Sequence, residues 1–147
     1  MSDFENKVKE VMNTKDTSND YTKEDKEKNK GMAILSYILF FIPLITGDHK
    51  KSPYVKFHTN QGTILWITAI GYSIIYNILT SIIKVNGNCG AWFGYSVGGC
   101  RVTPWWVTLP LSLISLVIGI VGIIGVINAA TGKTKELPVI GKYKIIK

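Results

Sequence analysis

The side chains best suited to chemistry in this sequence fall in one stretch, SPYVKFHTNQG at positions 52–62. On a helix, Tyr54, His58 and Gln61 share a face at i, i+4 and i+7, with Lys56 and Asn60 flanking them. A helix carrying an imidazole, an amide and an amine can bind a lipid headgroup, a partner or a polar substrate. An imidazole with its ordinary pKa of about 6.5 would make such a contact sensitive to pH. The alternative for the same residues is an interfacial anchor hydrogen-bonded to the neighbouring connector. Asn77, further along the same helix, is a lone amide in an apolar run, where an interhelical hydrogen bond is worth roughly 0.6–2 kcal/mol.

Other chemistry finds little support. Cys89 and Cys100 are the only cysteines, in a Gly-rich loop. Two thiols without a neighbouring His or second Cys pair fall short of four metal ligands. If the loop lies outside the cell they can form a disulfide, worth roughly 3 kcal/mol for a loop of about 12 residues. Free structural thiols are the alternative. His49 beside Asp48 reads as ordinary loop chemistry. TGKTKE at 131–136 lacks the leading glycine and the strand of a phosphate-binding loop. The sequence shows no nucleophile–base pairing and no metal motif, so the expectation is a protein with no catalytic residues, no metal and no cofactor, and not an enzyme.

The elements that carry these residues follow from the charge pattern. Of 147 residues, 46% are hydrophobic, but charge is sharply partitioned. Residues 1–30 hold 7 Lys and 8 acids, a sum of −1, and the remainder holds 10 Lys or Arg against 2 acids, a sum of +8. Residues 59–83 and 102–132 hold no charge at all. A soluble helix would intersperse charges at a 3.6-residue period. Uncharged runs of this length are what a bilayer requires, since about 20 apolar residues in a helix cross ~30 Å of hydrocarbon. The positive charges flank these runs, which fits topology signals and headgroup contacts rather than nucleic acid. The first apolar run begins near Gly31, behind a charged arm, unlike a signal peptide.

Along the chain, Ser2 and Glu5 form a capping box for a short helix over 1–12, with Phe4, Val8, Val11 and Met12 on one face. Such a helix is marginal alone and needs a membrane surface or a partner; a frayed terminus is the alternative. Residues 13–21 read as a flexible linker, so 1–21 form an arm. Thr22 caps the next helix, whose apolar part, GMAILSYILFFIPLIT, is short for a span and has Pro43 near its end. It either crosses or dips in and returns. Ser52 and Pro53 restart a helix that becomes the first long span. Trp105 and Trp106 fit an interfacial belt before the last span. That span carries a ridge of small residues, Ser112, Ser115, Gly119, Gly122 and Ala129, suited to close helix packing. Gly132 is placed as its C-cap, and residues 137–147 read as a basic interfacial tail.

The resulting expectation is an all-α integral membrane protein. It has a small bundle of about three membrane helices over 22–136, a charged N-terminal arm and a multi-pass arrangement in a bacterial cell membrane. Lys and Arg counts place the connector at 47–58 and the tail in the cytoplasm and the Cys loop outside, eight against two. A crossing first helix puts the arm outside; a dipping one keeps it inside and makes the count fifteen against two.

Three segments, TKEDKEKNKGMAILSYILFFIPLI, KKSPYVKFHTNQG and GIVGIIGVINAATGKTKELP, resemble a widespread bacterial family of small membrane proteins with a domain of unknown function. That family is distantly similar to the chloroplast inner-envelope import component Tic twenty. The resemblance covers residues 22–141. Ser52, Pro53, Lys56, Phe57, His58 and Gln61 match its most specific motif, and Asn128 and Gly132 a looser one. The arm and the Cys loop depart from the pattern, and the chloroplast relative is drawn with four spans. The family brings no established activity. The expected role is non-enzymatic: helix packing with itself or another membrane protein, as a translocon-like subunit or scaffold, with the lipid bilayer as partner. A small oligomeric transporter, with His58, Gln61 and Asn77 facing a polar path, is the alternative.

Overall fold

The structure is a computed structural model describing residues 2–89, 97–138, 140–141, 143 and 145–146; the side chains of 2, 12, 87–89 and 97–100 are not described. The order is α1 (Ser2–Met12), a 3-10 turn (Ser18–Asp20), α2 (Lys23–Ile38), α3 (Phe41–Ile45), α4 (Asp48–Lys51), α5 (Pro53–Ile82), β1 (Val85–Cys89), β2 (Val97–Val102) and α6 (Trp105–Ala130). The chain forms two compact units, one of residues up to Thr68 with Ile118–Lys147, the other of Ala69–Val117.

Helix starts follow local chemistry. Thr22 Oγ1 accepts the Asp25 N–H at 3.3 Å and opens α2. Ser52 Oγ accepts the Val55 N–H at 3.1 Å, and Pro53 begins α5, where its missing N–H leaves no bond unmade. The end of α6 is a Schellman turn: Lys133 N–H reaches the Asn128 carbonyl at 2.9 Å, Gly132 N–H reaches that of Ala129 at 3.4 Å, and Gly132 has φ 72°.

Pro43 decides the fate of the first apolar run. Its ring opposes the carbonyl four residues back, that of Leu39, and it offers no N–H. The helix accordingly ends at Ile38, Leu39 is non-helical, and the chain resumes as α3. Among the described residues two helices are long and apolar enough to cross a membrane, α5 and α6. The all-α expectation holds; of the expected bundle of about three membrane helices, α5 and α6 stand as candidate spans, and the α2–α3 segment is broken at Leu39.

The most apolar windows of α5 and α6 are only 22% and 11% buried. Ile67, Ile70, Ile74, Ile78, Leu113, Leu116, Val117 and Ile120 all lie exposed. The core helix of a soluble protein would bury these side chains; a lipid-facing helix does not.

In the first unit, Ala33, Tyr37, Tyr54, Leu65, Ala129 and Leu137 form the buried core. Gly62 lets α5 touch α2, since a Cβ there would stand 2.0 Å from the Ser36 carbonyl oxygen. Gly125 does the same for α6 against the Tyr37 ring, 2.4 Å from a built Cβ. In the second unit, β1 and β2 pair antiparallel, Val85 opposite Val102 and Gly87 opposite Cys100. The segment read as a Gly-rich loop thus contains two paired strands. Its register sets Cys89 opposite Val97, diagonal to Cys100, and the cysteine side chains lie outside the described residues.

Candidate functional site

The first turns of α5 gather a buried polar cluster. Tyr54, His58, Thr59, Asn60 and Gln61 are all buried, together with Ser36 and Tyr37 from α2. Each buried polar group in a low-dielectric setting must find a partner or cost free energy, and here most partners are elements of the chain itself.

Gln61 uses both ends of its amide. Its Nε2 donates to the Gly141 carbonyl at 2.8 Å, and its Oε1 accepts the Leu137 N–H at 3.2 Å. Asn60 Oδ1 accepts the N–H groups of Ile145 at 2.7 Å and Ile146 at 3.1 Å. Tyr54 OH donates to the Ala129 carbonyl at 2.7 Å, satisfying a terminal carbonyl of α6. The Tyr54 N–H donates to Asp25 Oδ2 at 3.3 Å, joining α5 to α2. Ser36 and Thr59 hydroxyls meet at 3.1 Å. Trp66 Nε1 donates to the Tyr37 carbonyl at 2.9 Å, near the C-terminal end of α2.

His58 is fully enclosed. Its ring packs edge-on to Tyr54, Phe57 and Tyr37, with centroids 4.7, 5.2 and 5.8 Å away. Nδ1 bonds the Tyr37 hydroxyl at 3.1 Å. Nε2 is buried without a hydrogen-bond partner among the described residues. Lys56 stands apart, half-buried on the outer side of the helix.

The tail, expected to lie on the membrane surface, docks against this cluster through its backbone. The linker at 13–21, expected to be flexible, is likewise tied down. Thr17 N–H and Oγ1 donate to the Thr134 carbonyl at 3.1 and 3.0 Å, Thr134 N–H donates to Ser18 Oγ at 2.9 Å, and Glu136 N–H donates to the Lys15 carbonyl at 3.0 Å. Asp16 accepts from Ser18 N–H at 2.9 Å and from its hydroxyl. The side-chain and backbone hydrogen bonds from Ser18 hold the Asp16 carboxyl below its usual range. Burial raises the Tyr21 hydroxyl.

The remaining sequence candidates separate. Asn77 is exposed, and its Nδ2 donates to the Ser73 carbonyl of its own helix at 2.7 Å. Its helix offers a carbonyl one turn back, which satisfies the amide without a neighbour. On the small-residue ridge, Ser115 is exposed and returns its hydroxyl to Leu111, a Cβ added at Gly119 would meet nothing within 4 Å, and one added at Gly122 would stand 3.3 Å from the Leu65 side chain. His49 is buried and its Nδ1 donates to the Pro43 carbonyl at 2.8 Å. The sequence reading passed over Ser36, Tyr37 and Gly62. Ser36 carried a signal, as the lone serine in an apolar run that needs a partner.

Fold and cluster define a helical membrane protein in which a polar clasp at the head of a long apolar helix binds the chain's own C-terminal segment. The model of the MamF/MmsF family, described as the magnetosome magnetite crystal formation protein family, matches residues 28–144, and the chain belongs to that family. The match begins inside α2 and leaves out the N-terminal arm. No curated protein and no solved structure matches. The likeness to the chloroplast import component is not among these findings.

Proposed function

We propose that the chain is a non-enzymatic membrane protein that acts as a scaffold, through helix packing with itself or with a membrane partner. The observation that carries this reading is the exposure of both apolar helices, whose most apolar windows are 22% and 11% buried. Apolar helices so little covered by their own chain have surface left for other helices. Gly119, open on the α6 surface, would let a second backbone approach. The polar groups of the motif serve internal hydrogen bonds, which supports a structural role for the cluster. Within the process that the family description names, such a protein would organise the membrane at which a crystal forms.

In the arrangement we favour, α5 and α6 cross and the α2–α3 segment dips in and returns. The arm supports it: residues 15–18 pair with 134–136, just past the end of α6. The arm and the tail then share one side, and fifteen Lys or Arg against two make that side cytoplasmic.

Cysteine cross-linking in native membranes tests self-packing. In a Cys89→Ser, Cys100→Ser background, Gly119→Cys should give disulfide-linked dimers on oxidation. Val117→Cys, exposed on the opposite side of the helix, should not. Cross-linking at both positions, or at neither, would remove the proposed interface.

A further inference from the structure

Two cavities adjoin at the start of α5. One, of about 270 Å³, is lined by His49, Lys50, Pro53 and Lys56. The other, of about 360 Å³, shares Pro53 and Lys56 and is walled by Tyr21, Phe57, Asn60, Gln61 and Ile146. The first is cationic and the second is largely aromatic and aliphatic. We propose that together they form a binding site for an anionic phospholipid, with its phosphate between Lys50 and Lys56 and its glycerol and upper acyl region against Tyr21, Phe57 and Ile146.

Among the described residues no carboxylate lines these two cavities. Among the described residues the one ion pair is Lys51–Asp48, which leaves Lys50 and Lys56 without a carboxylate. The neighbouring cavity of about 420 Å³ is different, because Glu24, Asp25 and Asp48 there offset Lys28 and Lys51. His49 is fixed at the cavity wall by its bond to Pro43, which gives the site one rigid side. Depth favours a lipid over a free anion. Lys56 lies one turn before the uncharged run that begins at Thr59, so its amine stands at headgroup level, with the apolar wall of Tyr21, Phe57 and Ile146 beside it. The site does not depend on self-association.

The test is lipid retention by native mass spectrometry on the delipidated full chain in detergent. Dioleoyl phosphatidylglycerol is titrated with and without inorganic phosphate. Wild type should retain the lipid, and phosphate at the same concentration should not displace it. Lys50→Gln with Lys56→Gln should weaken retention roughly tenfold or more, since each lysine near an anionic headgroup contributes to binding. Lys51→Gln, which removes an already paired charge, should retain lipid as wild type does. Both lysines reach the surface, so the double variant should keep the wild-type thermal transition, and Lys56→Gln alone should show an intermediate loss. Undiminished retention by the double variant would overturn the site. Displacement of the lipid by inorganic phosphate would overturn the lipid assignment and leave a simple anion site.

Discussion

Gly62 sits where two helix backbones meet, and its hydrogen is all that fits. A methyl group there would stand 2.0 Å from the Ser36 carbonyl oxygen, and backbone cannot yield as a side-chain tip can. Gly62→Ala should therefore lower stability by about 1–3 kcal/mol, the usual cost of overpacking, read as a lower thermal midpoint in detergent. Gly119→Ala meets nothing of its own chain within 4 Å, and in monomeric protein should leave that midpoint unchanged or raise it slightly through helix propensity. Gln61 carries a second residue-scale expectation. Its removal strands the Leu137 N–H and the Gly141 carbonyl. Gln61→Ala should cost roughly 1–3 kcal/mol and speed proteolysis of the C-terminal segment, while Lys56→Ala should do neither. A tail cleaved at the wild-type rate would show that the clasp does not hold it. The sequence placed His58 and Gln61 on one helix face, and both are buried on α5. It left open a ligand or an interfacial anchor bonded to the connector, and missed the occupant because that is backbone 76 residues away and carries no side-chain signature.

At the scale of elements, punctuation residues were legible. Thr22, Ser52 with Pro53, and Gly132 end or begin helices by local rules, and the structure uses them so. Pro43 was visible as a hazard, but the course of the chain through α3 and α4 depends on what covers the freed groups. The strap joining 15–18 to 134–136 was not legible, since short polar segments acquire order only from each other. Its pH dependence follows from Asp16, whose folded carboxyl titrates below its free value. The stabilisation is present above the ordinary carboxylate pKa of about 4 and is lost as pH falls through the lowered value. Amide exchange at Thr134 should be faster in Asp16→Ala at neutral pH, and acidification should erase the difference between variant and wild type. The hairpin poses a separate question. Cys89 and Cys100 occupy paired strands, and a disulfide between them predicts that maleimide-polyethylene glycol labels denatured protein only after reduction. Equal labelling without reductant would show free thiols.

For the whole molecule, the two uncharged runs and the bare apolar surfaces of α5 and α6 predict retention in the membrane pellet after alkaline carbonate extraction. Release to the supernatant would reject the integral assignment. That assignment needed only the sequence. A run of 25 or 31 residues without charge has few destinations other than lipid, and composition alone carries the argument. The number of spanning helices did not follow from composition. An apolar run reads the same whether it crosses or folds back, and the break at Leu39 emerges only when Pro43 meets a helical backbone. The arm and the tail were likewise decided by tertiary structure. Their positions rest on N–H and C=O groups, which every residue carries alike, so no residue type announced that Asn60, Gln61 and Thr134 would gather the two ends of the chain at the head of one helix.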